Sequence, residues 1–211
     1  MLDTAIRFFQ QGGPFMYPIT VVLAIGLTIT IERYLYLTSC KFQNRRALKK
    51  IMALLEKGEL NSAVKVTQES RSTVSRILAQ GLAHFNNARR RDDIEASMEE
   101  SIMEAIPRLE KRTHYLAMFA NISTLLGLLG TIIGLIKAFT AVAQVDPSMK
   151  AEILSTSISV AMNTTAFGLM VAIPLLLFYT FLQTKTTEII DSLEMATVRF
   201  VNLLVKHKNA G

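Results

Sequence analysis

The chain has 211 residues, half of them hydrophobic and only 19% charged, with a mean hydropathy of +0.32 and a formal net charge of +6. Soluble domains carry nearer a quarter charged residues, and disordered chains carry far less apolar content, so the composition excludes disorder and argues against a soluble enzyme. The single cysteine, Cys40, allows no intrachain disulfide and no cysteine-rich metal site.

Taken in chain order, the sequence predicts an all-α integral membrane protein. It has three transmembrane helices and a large helical cytoplasmic region, with helices extending beyond the bilayer. Residues 1–15 read as an amphipathic outer-face helix: Leu2, Ile6 and Phe9 are apolar, and Gln10-Gln11-Gly12-Gly13-Pro14 stops it. Residues 16–38 form the first span. Its apolar run over 19–31 meets Glu32-Arg33, and Tyr17, Tyr34 and Tyr36 stand where an aromatic belt stands. The head holds Asp3 and Arg7 but no basic cluster, and no small-residue cleavage site follows, so the segment is not read as a cleavable signal.

Residues 39–113 read as a helical cytoplasmic region. Leu48, Ile51, Met52 and Leu55 share a helical face before Gly58 as a stop, and Val64, Ile77, Leu78 and Leu82 continue the pattern to Phe85. Asp92 with Glu95 predicts a capping box. Ile94, Met98, Ile102, Ile106 and Leu109 then form one stripe that runs into the second span with only Pro107 as a breaker. One unbroken helix over 93–142, about 75 Å long, is the expectation. Residues 114–143 are the second span, 144–154 a short periplasmic loop and 155–183 the third span, with Pro174 inside it to kink the helix. Residues 184–211 are a cytoplasmic C-terminal helix.

Charge sets the orientation. The segment 39–114 carries 15 Lys/Arg against 10 Asp/Glu, and eight of those basic residues hug its two ends. Four more follow residue 183, whereas the head has only Arg7 and the outer loop only Lys150. Positive residues near span ends stay inside, so the amino terminus is periplasmic and the carboxyl terminus cytoplasmic. Topology thereby accounts for the basic residues, Arg89-Arg90-Arg91 among them, without a nucleic-acid partner. His84, His114 and His207 lack metal-ligand spacing, and no glycine-rich phosphate loop is present. No metal, no cofactor and no enzyme activity is expected.

Polar groups inside hydrocarbon are costly and face other helices or water. The third span holds Ser155, Thr156, Ser157, Ser159, Asn163, Thr164 and Thr165, and the second holds Asn121, Ser123, Thr124 and Thr131. Gly130-x-x-x-Gly134 permits close helix contact. Two readings stay open: helix adhesion, or an ion pathway through Thr131, Thr165, Asn163 and Ser159. Counting from the outer loop puts Thr131 and Thr165 about 15 to 18 Å deep, near the bilayer middle. No carboxylate lies near that depth, and Lys137 can snorkel outward. If ions cross here, a titratable relay group has to come from a partner.

Leu126-Gly127-Leu128-Leu129-Gly130-Thr131-Ile132-Ile133-Gly134 is similar to the GLLGTVxG signature of the ExbB/TolQ/MotA proton-channel family. Thr165-Ala166-Phe167-Gly168-Leu169-Met170-Val171-Ala172-Ile173-Pro174 resembles its TAxGLxVAIP signature. Glu32-Arg33 resembles the family's polar pair at the inner end of the first span. The resemblance, closest to ExbB/TolQ-type biopolymer transport proteins, implies an ion-driven motor subunit of the bacterial inner membrane. It implies a homopentamer around an ExbD/TolR-type single-span protein that supplies an aspartate, with a TonB-like or TolA-like protein as a further partner. On these motifs Thr131 and Thr165 map to pore threonines, and Gly127, Gly130, Gly134, Gly168 and Pro174 to helix-packing positions. The chain departs from the family at Val160, where ExbB and TolQ relatives carry glutamate, and at Thr124, where they carry proline. Proton or sodium as the ion, a MotA-like stator, and a passive membrane scaffold all remain alternatives.

Overall fold

The computed structural model describes residues 12–85, 91–143 and 145–210. Most of the expected amphipathic helix, Arg89-Arg90 and the side chain of His207 lie outside the described residues. Among the described residues six helices follow in order: α1 Met16–Glu56, α2 Leu60–Glu69, α3 Thr73–Phe85, α4 Arg91–Glu110, α5 Thr113–Val142 and α6 Lys150–Ala210. No strand occurs among the described residues. Three helical segments, within Met16–Glu56, Arg91–Val142 and Lys150–Leu204, are long and apolar enough to cross a membrane.

Local chemistry explains the helix ends. Pro18 is tolerated because it sits in the first turn of α1, where backbone N–H groups have no helical partner. At the other end Gly58 adopts φ +77°, the Gly58 N–H bonds the Leu55 carbonyl at 2.9 Å, and the Glu59 N–H bonds the Leu54 carbonyl at 3.0 Å. That reciprocal pair is a Schellman stop, which glycine permits without a Cβ clash. Asn44 of α1, buried, caps the start of α3 by accepting from the Val74 N–H at 3.2 Å, while Ser72 Oγ accepts from the Ser75 N–H at 3.3 Å. The expected capping box does not form: α4 already starts at Arg91, so Asp92 lies inside its first turn. Glu95 instead accepts from Arg91 Nε at 2.7 Å.

The expected single helix over 93–142 is interrupted. α4 ends at Glu110, α5 begins at Thr113, and Arg112 takes φ +65°. A left-handed residue cannot continue a right-handed helix. Pro107 is not the break, since α4 runs past it. Pro174 likewise sits within α6, which continues through it.

The chain forms two compact units. One combines residues up to Ile31 with Arg112–Phe181; the other combines Glu32–Lys111 with the chain from Leu182 onward. In the second unit Leu37, Ile51, Leu55, Ile77, Leu78, Met98 and Phe200 are fully or almost fully buried. The α4 stripe is inward as its spacing demands, with Ile94, Met98, Ile102 and Leu109 buried and Ile106 half-buried. Gly81 of α3 allows this closeness: a Cβ there would stand 2.9 Å from the Phe200 ring and 2.5 Å from Met98 Sδ.

Candidate functional site

The site lies in the first unit, where α5 and α6 meet along glycines. A Cβ on Gly168 would lie 2.7 Å from the Ser123 carbonyl oxygen, and one on Gly127 would lie 3.2 Å from Thr165 Cα. A Cβ on Gly134 would lie 2.9 Å from Ala161 Cβ, and one on Gly130 would strike the Thr164 side chain. Missing side chains thus bring the two backbones into contact. Ser123, one turn before Gly127, strengthens the seam by donating to the Gly168 carbonyl at 3.0 Å, and it is fully buried. Sequence reasoning passed over this role. The spacing of Ser123, Gly127, Gly130 and Gly134, all small and all on one helical face, was the available signal.

That close approach puts Thr131 and Thr165 side by side. Both are half-buried, and their hydroxyls bond each other. Thr165 Oγ1 donates to the Gly127 carbonyl at 2.9 Å. Thr131 Oγ1 lies 3.3 Å from the carbonyls of both Gly127 and Ala161. Each hydroxyl has one proton. With the Thr165 proton on the nearer carbonyl, the contact between the two hydroxyls is bonding only if Thr131 donates to Thr165. The order is then Thr131 to Thr165 to the Gly127 carbonyl. Four oxygens converge, and the lone pairs of Thr131 stay available to a protonated carboxyl, a water or a cation.

The other predicted pathway residues are not part of this pair. Asn163 lies two residues from Thr165, about 200° round the helix. It is half-buried, and Ser159, one turn earlier, is exposed. Thr164, buried, donates to the Gly12 carbonyl at 2.5 Å and thereby ties the chain before α1 to α6.

Glu32 and Arg33 separate as well. Glu32 is exposed, while Arg33 is almost fully buried, with its guanidinium 4.8 Å from the Tyr36 ring centroid. Arg33 Nη2 donates to the Leu109 carbonyl, one of the last carbonyls of α4 and so without a helical N–H partner. A cation at a helix C-terminus also meets the favourable end of the helix dipole. The basic member of the predicted pair is thus a cap for α4. Nearby, Lys185 Nζ sits 4.0 Å from the Tyr34 ring centroid and 2.9 Å from Thr38 Oγ1, and Lys41 pairs with Glu188 at 2.6 Å. No group of three or more metal-ligating side chains occurs among the described residues.

The two glycine-threonine segments fall within the stretch 69–195, which matches the MotA/TolQ/ExbB proton channel family. The chain belongs to that family. Among similar proteins, the biopolymer transport protein exbB1 of Vibrio cholerae is 30% identical, covering 96% of this chain and 89% of its own. An ExbB homolog of Methanothermobacter thermautotrophicus is 27% identical over 91% of this chain and 67% of its own. The Tol-Pal system protein TolQ of Haemophilus influenzae is 31% identical over a shorter stretch, 44% of this chain and 40% of its own. Family membership and three apolar helices make this a membrane protein of the ExbB/TolQ biopolymer transport type.

Proposed function

We propose that this protein is the ion-conducting, oligomer-forming subunit of an inner-membrane motor that couples ion-motive force to envelope or outer-membrane transport. Its amino terminus is periplasmic and its carboxyl terminus cytoplasmic. Five copies surround an ExbD/TolR-type single-span protein, whose aspartate is the titratable group this chain lacks, and a TonB-like or TolA-like protein passes on the work. The observation that carries the reading is the Thr131–Thr165 hydroxyl pair on adjoining spans. As arranged, the pair accepts from a carboxylic acid, and turning the Thr131 hydroxyl away from Thr165 frees its proton for a carboxylate, so the pair can follow that group through a protonation cycle. Proton is the ion this favours. An all-oxygen cluster without a carboxylate also suits a sodium ion, which keeps a sodium-driven or MotA-like relative as the second reading.

Thr131→Val and Thr165→Val keep the shape but remove the hydroxyl. Each is expected to lower ion flux and energised transport at least about tenfold, while complex yield stays near normal. Thr→Ser at either position should retain part of the flux. Full activity in the double valine variant would remove the pair from the mechanism. Loss of activity only in step with loss of the complex would favour a passive scaffold.

A further inference from the structure

Three levels are defined inside the unit that holds the threonine pair. At one end His114 packs against Tyr179 with ring centroids 6.3 Å apart, and the nearest charged residues along the three helices are Arg112, Glu32 and Lys185. Midway, a Cβ on Gly26 would meet the tip of Leu175. At the other end Thr164 bonds the Gly12 carbonyl, Gly13 faces Val160 and Gly130 faces Phe15. α1 therefore runs parallel to α6 and begins beside Thr164. By then α6 has already run 14 residues from Lys150, about 21 Å.

The hydrocarbon core takes about 20 residues of helix. The first span offers 20 uncharged, non-glutamine residues, from Gly12 to Ile31, between Gln11 and Glu32. Its outer edge thus falls close to residues 12–15, and Gly130, Thr131, Thr164 and Thr165 share that level. The inner level, near Thr113 and Phe181, lies about 24 to 27 Å away at the helical rise, most of the thickness of a ~30 Å core. The ends of α5 and α6 beyond the threonines carry Lys137, Lys150, Glu152, Ser155, Ser159 and Asn163. Counting depth from the outer loop treats this overhanging hairpin as membrane and places the pair too deep. Ile132, Ile136 and Phe139 are exposed on the overhang, and in the oligomer proposed above a neighbouring copy covers them.

We propose that the Thr131–Thr165 pair lies in the outer third of the hydrocarbon, with the ends of α5 and α6 beyond it standing outside the bilayer on the side where α1 begins. Ser159 and Asn163 then lie at or beyond the outer edge of the hydrocarbon, on the face of α6 away from the pair. This placement rests on the reading that the three apolar helices cross a bilayer.

Thiol accessibility tests it. In the full chain carrying Cys40→Ser, which removes the only native thiol, Ser155→Cys, Ser159→Cys and Asn163→Cys are made singly, with Leu169→Cys as the deep control. A membrane-impermeant cationic thiosulfonate is applied to right-side-out and inverted vesicles. The 159 and 163 variants are expected to react from the α1-start side within about tenfold of the 155 variant, and about a hundredfold faster than the 169 variant, because hydrocarbon excludes the charged reagent. Reaction at 155 but protection of 159 and 163 equal to 169 would overturn the proposal. Should those variants fail to assemble, a nitroxide on Met162→Cys, an exposed position at the same level, reports depth by collision with oxygen and a nickel chelate. A label near the headgroups supports the placement, and one at the bilayer middle refutes it. Ion flux of the native chain with its partner is measured separately. Absent flux with reactive 159 and 163 sinks the conducting role and leaves the depth standing. Normal flux with both protected sinks the depth alone.

Discussion

Arg33 and Arg112 show how one residue type serves opposite ends of a local problem. Arg33 is buried and satisfies the Leu109 carbonyl at the end of α4; Arg112 takes the left-handed conformation that ends the helix. A Cβ in that conformation costs about 1 kcal/mol, which glycine avoids. Arg112→Gly is therefore expected to be more stable than Arg112→Ala by about 1 kcal/mol, whereas inside a continuous helix the order would reverse by a similar amount. Thermal midpoints of the two detergent-solubilised variants decide the sign. Thr131 and Thr165 were legible as residues, because they stand in the glycine-threonine motifs of the second and third spans. Their bond to each other was not, since it depends on the register of two helices far apart in sequence.

At the scale of elements, the seam of α5 with α6 is set by backbone, and the approach of α1 by side-chain tips. Alanine at Gly168 would press on the Ser123 carbonyl at 2.7 Å and on Gly127 Cα at 3.1 Å, so the helices must part. Alanine at Gly26 would meet only the flexible end of Leu175. Overpacking of a tight seam costs about 1 to 3 kcal/mol, so Gly168→Ala is expected to lower the thermal midpoint and complex yield while Gly26→Ala leaves both nearly unchanged. Equal tolerance would mean that the seam is looser than its geometry. The elements of the second unit were readable for a simpler reason. Gly58 and the stripe from Ile94 to Leu109 are local patterns, and the structure repeats them.

For the whole molecule the decisive feature is apolar surface with no cover in a single chain. Leu125, Leu128, Leu129 and Ile132 on α5, and Met162, Met170, Ile173 and Leu177 on α6, are exposed. Lipid covers the part of such a surface that lies within the bilayer, but Ile132, Ile136 and Phe139, exposed on the proposed overhang, would face water in a single chain. Self-association covers them. Native mass measurement in mild detergent is expected to give a homo-oligomer, five copies on the proposed function. A monomer across several mild detergents would remove the oligomer and with it the enclosed pathway.

The amino-acid sequence by itself determined the all-helical membrane class, the three apolar spans and the family. Lipid makes demands that each residue meets alone: twenty apolar side chains in a row, and glycines where helices touch. It could not determine depth, partnership or continuity. A helical repeat of 3.6 residues says which face a side chain takes but not how far one helix has slid along another. Only the tertiary structure brought Thr131 to Thr165, set Gly12 beside Thr164 and turned Arg33 onto the end of α4. Each of those contacts depends on an offset between helices, and no single stretch of sequence contains an offset.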